Sequence, residues 1–339
     1  GFNAMVLAQD GSSYYINSLN ANTCAVFSRS SNKNPGSFSC GVDDKIKQTI
    51  IHQNGSTLRG ADDGKLRTYR LACTVNGEFS QLCLNGTETS DAQRVAKVMA
   101  ALNTDITRAN TVYEVDFSVR LVYVSNNDQL IYLNAATDPW TSSSQWNSKT
   151  QTTIDNVIGS ANYDIGHLLA GLSALPGDGN AGCIGCVCKA GSKGSGYTAY
   201  IASTGDPLVI DYWTHEMGHQ VGANHTFTYS NESTSAQIEP GSGSTIMGYA
   251  GITGGTDVQP HSDDLFSAAS IAQISNNFKS ASLGGACAVK IANANNVPVV
   301  SAGQDYIIPI STPFQLTGTA SDVDATDVMS YIWEQIDLR

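Results

Sequence analysis

In Thr214-His215-Glu216-Met217-Gly218-His219-Gln220-Val221-Gly222-Ala223-Asn224-His225, two histidines stand four residues apart with a glutamate directly after the first. On a helix, four steps of about 100° bring both imidazoles onto one face, a turn apart, where they can hold a single cation. Glu216 is placed to reach a water on that cation rather than the cation itself. Were the helix to continue, His225 would lie about 9 Å beyond His219, too far to share a metal with ligand distances of about 2.0–2.1 Å. The chain must therefore turn, and Gly222 is the residue able to take a left-handed conformation at little cost. Three neutral imidazoles favour tetrahedral zinc with its fourth position open to water, the catalytic arrangement rather than the structural one. Zinc lowers the pKa of such a water to about 7, and Glu216 can take its remaining proton during attack on a carbonyl carbon, then pass it to the leaving amine. Hydrolysis of a peptide bond is the chemistry implied.

The elements that must position these groups are legible in outline. Ser90-Asp91 can cap a long helix whose apolar positions Val95, Val98, Met99, Leu102 and Ile106 recur at three- and four-residue spacing. Alternating Val115, Phe117, Val119, Leu121 and Tyr123 predict a strand over residues 115–124. Further strands are expected at 130–134 and 164–170, and helices at 153–158, 207–221 and 263–277, with a Gly/Cys-rich loop at 177–196. Helices interleaved with strands imply a mixed sheet covered by helices, an α+β unit. Residues 1–64 are polar with short β-like runs, and the Gly/Asp/basic stretch from Arg59 to Lys65 has the composition of an exposed loop that proteases nick. From Val297 onward short apolar runs alternate with Pro, Gly and Asp turns, the texture of a partial β-sandwich module.

Composition limits the partners. With 18 Lys and Arg against 30 Asp and Glu the net charge is −12, a field that repels nucleic acid and anionic membrane surfaces. Apolar runs fall far short of the roughly 20 residues of a membrane helix. The chain opens at Gly1 without Met and reads as a processed piece of something longer. Eight cysteines in a chain of low charge point to an oxidising compartment, hence to a secreted, disulfide-bonded protein; a monomer is expected. Asp322, Asp324 and Asp327, and also Glu114 with Asp116 or Asp263 with Asp264, have the oxygen donors of a calcium site.

The run from His215 to His225, followed by Ser244-Thr-Ile-Met247-Gly-Tyr249, resembles the zinc-binding helix and Met-turn of the metzincin metallopeptidases. Arg67 to Leu71, Val112 to Phe117, Asp155 to His167 and Glu239 to Tyr249 are similar to secreted bacterial reprolysin-like metallopeptidases. The resemblance implies a twisted, mostly parallel sheet above the active-site helix, with His167 near an edge strand beside the substrate cleft. It implies further that Met247 forms a hydrophobic floor under the zinc, and that Tyr249 binds zinc or stabilises the oxyanion. Reprolysins proper follow the third histidine with Asp; Thr226-Phe227 here looks more like the pappalysin branch.

Ser37-Phe38-Ser39-Cys40-Gly41-Val42 resembles the cysteine-switch motif of metallopeptidase propeptides. A Cys40 thiolate would take the open fourth position on zinc, making the propeptide an intramolecular inhibitor; the competing reading pairs Cys40 with Cys24 in a disulfide. The organisation expected is therefore a propeptide at 1–64, a catalytic domain at 65–288 and a partial β-sandwich module at 289–339. The function expected is a zinc endopeptidase acting on protein or peptide, its specificity pocket built from residues 248–261. A zinc hydrolase of a non-peptide polymer and an adhesin with a vestigial zinc site are the alternatives.

Overall fold

A computed structural model describes residues 3–8, 12–20, 22–31, 37–42 and 63–336. The stretch 43–62, which contains most of the expected processing loop, lies outside the described residues.

The main sheet is built around β5 (Lys65–Val75), β7 (Ile165–Gly171) and β9 (Gly196–Tyr200), following β1–β4 of the N-terminal segment and with β6 (Val119–Tyr123) and β8 (Gly177–Asn180) between them in sequence. Strands β5, β6, β7 and β9 pair in parallel, whereas β8 runs antiparallel to β9, and β10 (Val289–Ala292) runs antiparallel to β5. Every residue of β7 and β9 is buried, as strands covered on both faces require. Ile165 and Leu169 of β7 join the main core on one face, while Leu168 and Ala170 pack with Trp140 and Trp146 on the other. The sheet takes in Val289–Ala292, just past the boundary expected at 288.

Helix α1 (Gly77–Cys83) is capped by Asn76, and α2 (Asp91–Phe117) by the Ser90 side chain. The second helix runs further than its expected end, through residues assigned to the strand at 115–124. Ala109, Val112, Tyr113 and Phe117 are all buried and continue the helical stripe, while Val115 faces outward; Ser118 at φ 54° then ends the helix, and the strand begins at Val119. The strand expected at 130–134 reduces to a single bridge between Val75 and Ile131, after a 3-10 turn at Asn127–Leu130. Helix α3 (Trp146–Val157) covers the opposite face of the sheet, and α4 (His215–Val221) and α5 (Ala268–Lys279) pack together on the α2 side.

The N-terminal segment forms an antiparallel sheet of β1 (Ala4–Leu7), β2 (Ser13–Asn20) and β3 (Thr23–Ser28). Beyond it, β4 (Phe38–Cys40) adds to the edge of the main sheet, parallel to β8 with Cys40 opposite Gly179. The segment is docked by polar groups that are themselves buried. The Tyr15 hydroxyl donates to Asp264 Oδ1 at 3.1 Å, and Arg108 of α2 donates to Asn17 at 2.6 Å while lying 5.0 Å over the Tyr15 ring. After β10, the C-terminal region pairs β11 (Val299–Ser301) with β12 (Thr319–Ser321). The strands expected around Tyr306, Phe314 and Tyr331 do not form, and those side chains are exposed. Among the described residues no helix is long and apolar enough to cross a membrane.

Asp105 of α2 is fully buried near Arg108 and Asp206. Burial pushes its carboxyl well above the ordinary range, with Arg108 opposing the shift. The folded chain thus keeps a proton that the unfolded chain releases above a pH of about 4, so this group's contribution to stability falls as pH rises, by at most about 1.4 kcal/mol per pH unit. Asp105→Asn cannot ionise, and should raise Tm over the parent by more at pH 8 than at pH 5. Thermal melts at the two pH values check this; an equal difference at both would mean that Asp105 is charged when folded.

Candidate metal centre

Leu208 to Thr214 are all buried and wind as a wide π-helical segment from Pro207 into α4. Within α4, His215 and His219 share a face with ring centroids 4.9 Å apart. Gly222, at φ 124°, ends the helix while its N–H donates to the carbonyls of Gly218 and His219. The chain then doubles back, so that the His225 ring lies 5.2 Å from His215 and 4.6 Å from His219. The structure thus brings the three histidines together through the bend at Gly222.

Each ring is held at Nδ1. His215 Nδ1 lies 2.7 Å from the Ile246 carbonyl, His219 Nδ1 lies 2.7 Å from the Ala223 carbonyl, and His225 Nδ1 lies 3.0 Å from a Glu232 carboxylate oxygen. Those oxygens only accept, so each Nδ1 carries a proton, and in its neutral form each ring presents a bare Nε2. The Nε2 atoms of His219 and His225 face each other at 3.1 Å. Two lone pairs repel at that distance unless they share a cation, and tetrahedral zinc places two such nitrogens about 3.3 Å apart.

Cys40 reaches the same point from β4, its Sγ 3.6 Å from His219 Nε2, where a sulfur and a nitrogen on one tetrahedral zinc stand about 3.6 Å apart. The four donor atoms of Cys40, His215, His219 and His225 all lie within 4.8 Å of one another. Burial, reinforced by the Glu216 carboxylate, pushes the Cys40 thiol up to about 12, and a cation among the imidazoles reverses that balance. By type, tautomer and spacing the donor set fits zinc. Cys24 and Cys40 are both free thiols, with Cys24 exposed on β3, so the Cys24–Cys40 disulfide does not form. The bonds that do form are Cys183–Cys186 and Cys188–Cys287.

Glu216 is fully buried beside this cluster. Burial pushes its carboxyl up to about 8, with the Cys40 thiol and His225 pulling the other way. Gly179 of β8 leaves the space it needs, since a Cβ there would overlap Glu216 Oε1 and the Phe38 ring. Met247 is fully buried, and its carbonyl accepts from the N–H of Thr226, the residue after His225. The Tyr249 ring lies 5.6 Å from that of His215 and 4.8 Å from that of His225.

Several residues that hold the cluster carry no motif signal. Glu232 anchors His225 from seven positions on. The buried Glu239 accepts from the hydroxyls of Thr226 and Thr245 and from the N–H groups of Ser244 and Thr245, tying the segment after His225 to the turn that carries Met247. Thr226, the departure from the reprolysin pattern, thus has a carboxylate partner supplied from further along the chain. His167 requires a correction. It lies on β7, an interior strand between β5 and β9, wholly buried with Nδ1 2.8 Å from Gln220 Oε1 and Nε2 2.9 Å from Thr198 Oγ1. Burial lowers it to about 4, so it is a neutral core residue rather than part of a cleft.

Most of the acidic calcium candidates are engaged elsewhere. Glu114 pairs with Arg120, Asp116 accepts from the Phe266 N–H, and Asp264 accepts from Tyr15. Asp322, Asp324 and Asp327 do converge, with Asp324 also holding Asn296.

Loss of the anchoring carboxylate in Glu232→Ala frees the His225 ring to rotate or change tautomer, and should weaken zinc binding by about 10-fold or more. Competition against a chromophoric chelator measures this, and unchanged affinity would show that the carboxylate does not orient the ring.

A family model for the M12B reprolysin-like metallopeptidases matches residues 66–278. Among solved structures the chain is similar to metalloproteinase-II from Bacteroides fragilis, at 12% identity and a TM-score of 0.33, over 63% of this chain and 54% of that one. It thus spans about half the length of that neighbour. No curated protein matches it. The matched region covers more than half of the chain and takes in the whole run from His215 to Tyr249, and this chain belongs to the M12B reprolysin-like metallopeptidase family.

Proposed function

We propose that the chain is a secreted zinc-dependent endopeptidase made in a latent form. Residues 1–64 are the propeptide, 65–288 the catalytic domain and 289–339 a partial β-sandwich module. The observation that supports this best is the convergence of three Nδ1-anchored imidazoles and the Cys40 thiol on one point. His215, His219 and His225 hold the zinc, and Cys40 takes its fourth position until the segment leaves. The two disulfides favour an oxidising compartment.

Bound zinc supplies a Lewis acid that polarises the scissile carbonyl and activates water. Glu216 accepts the proton of the attacking water at its carboxylate and returns it to the leaving amine. Tyr249, against two of the histidines, donates its hydroxyl proton to the developing oxyanion; burial raises its pKa well above the ordinary value, which keeps that proton in place. Met247 closes the floor beneath. The edge of β8 holds an extended peptide by main-chain hydrogen bonds, a place now taken by β4, where the Gly41 N–H donates to the Gly179 carbonyl at 2.7 Å.

Two variants test the reading on casein. Glu216→Ala should bind zinc as the parent does while losing at least about 100-fold in hydrolysis, and unchanged turnover would refute the proton-transfer role. Full-length Cys40→Ala should exceed the uncleaved parent in activity, and equal activity would refute latency through the thiol. Removing zinc with a chelator should abolish hydrolysis in both the parent and Cys40→Ala.

A further inference from the structure

Beside the histidine cluster lies a small cavity lined by Phe38, Tyr212, His215, Tyr249 and Ile252, with Asp211 as its one carboxylate. Part of this lining comes from the stretch 248–261 expected to build a specificity pocket, and Asp211 and Ser262 come from outside it. Phe38, two residues before Cys40, stacks on Tyr212 with centroids 4.0 Å apart.

Asp211 Oδ1 accepts from Arg29 Nη2 at 2.7 Å and from the Ser262 N–H at 2.9 Å. Its Oδ2 is buried with no hydrogen-bond partner among the described residues. The same guanidinium donates to the Ser262 carbonyl at 3.1 Å, and Asp264 Oδ1 stands 3.5 Å from its Nε. Two buried carboxylates and a carbonyl therefore surround one guanidinium. All the acceptors belong to the matched catalytic region, and the cation alone comes from the N-terminal segment. When that segment leaves, Asp211 and Asp264 lose this counterion, and the place of the guanidinium is open to another cation. His261 is the other basic group nearby, with Nδ1 3.0 Å from the Ser262 carbonyl.

We infer that Asp211, with Asp264 and the Ser262 carbonyl, forms a specificity subsite for a basic side chain of the peptide substrate, arginine above all, which Arg29 fills while the segment is docked. The wall shared with His215 places such a side chain next to the scissile bond. Arginine is favoured over lysine because its planar fork can serve a carboxylate and a carbonyl at once. The inference rests on the endopeptidase reading for its substrate, but the cation site stands on geometry alone.

Two experiments on the full chain at pH 8 separate these layers. Arg29→Ala should lower Tm, and ethylguanidinium should restore it in a saturable way where equal sodium chloride does not. No rescue, or rescue by calcium in its place, would overturn the assignment. A peptide-library digest with Cys40→Ala/Arg29→Ala should enrich arginine about tenfold at one position flanking the cut, with the preference lost on adding Asp211→Asn. Cleavage with no basic preference would overturn the inference. Failure of every form to cleave casein while ethylguanidinium still rescues would refute the endopeptidase reading and leave the cation site supported. Should Arg29→Ala not fold, the digest is run on the full chain activated by limited proteolysis, beside Asp211→Asn treated alike, with the same two outcomes.

Discussion

A neutral imidazole offers a cation only one of its nitrogens, and the choice is made by whatever holds the other. Here two backbone carbonyls and one carboxylate hold the three Nδ1 atoms, which aims three Nε2 atoms at a common point. Those acceptors come from separate places: Ile246 from the turn before Met247, Ala223 from just past the helix end, and Glu232 from the loop after His225. The long β5–β7–β9 platform and the buried helical lead-in from Pro207 serve to keep these pieces in register. The Glu239 carboxylate does the same on the other side, binding the segment after His225 to the turn of Met247.

The N-terminal segment meets the catalytic unit in two different chemical languages. Phe38 and Cys40 enter the cleft as a strand, with an aromatic stack and a thiol. Tyr15 and Arg29 dock by burying polar groups against Asp264 and Asp211, contacts worth little in water and much more when dry. The two sets of contacts lie on different stretches of the segment, residues 15–29 and residues 38–40.

The histidine and glutamate set was legible because covalent order alone sets helical phase, and because only a glycine permits the bend that returns His225. Helix α2 was legible in its cap and its stripe. Its end was not, because Val115 and Phe117 satisfy an alternating pattern and a helical one equally; burial of Val112, Tyr113 and Phe117 decided it. The strand at 130–134 failed since only Ile131 finds a partner. His167 is put beside the cleft by the resemblance alone; no spacing in the sequence shows that Gln220 and Thr198 satisfy it inside the sheet. Arg29 and Asp211 lie 182 residues apart, and no local pattern announces such a pair.

The loop between β8 and β9 caps the far end of the helix that carries His215 and His219, with the Gly185 and Val187 N–H groups donating to the carbonyls of His219 and Gln220. Within the same loop, Cys188 is bonded to Cys287, two residues before β10 joins the sheet. Tension applied to the chain beyond β10 therefore meets the β10–β5 ladder first, and past it the cross-link carries the load to Cys188, next to the N–H that holds the Gln220 carbonyl. The strand ladder is thus what stands between a pull on the C-terminal region and the helix that carries His215 and His219.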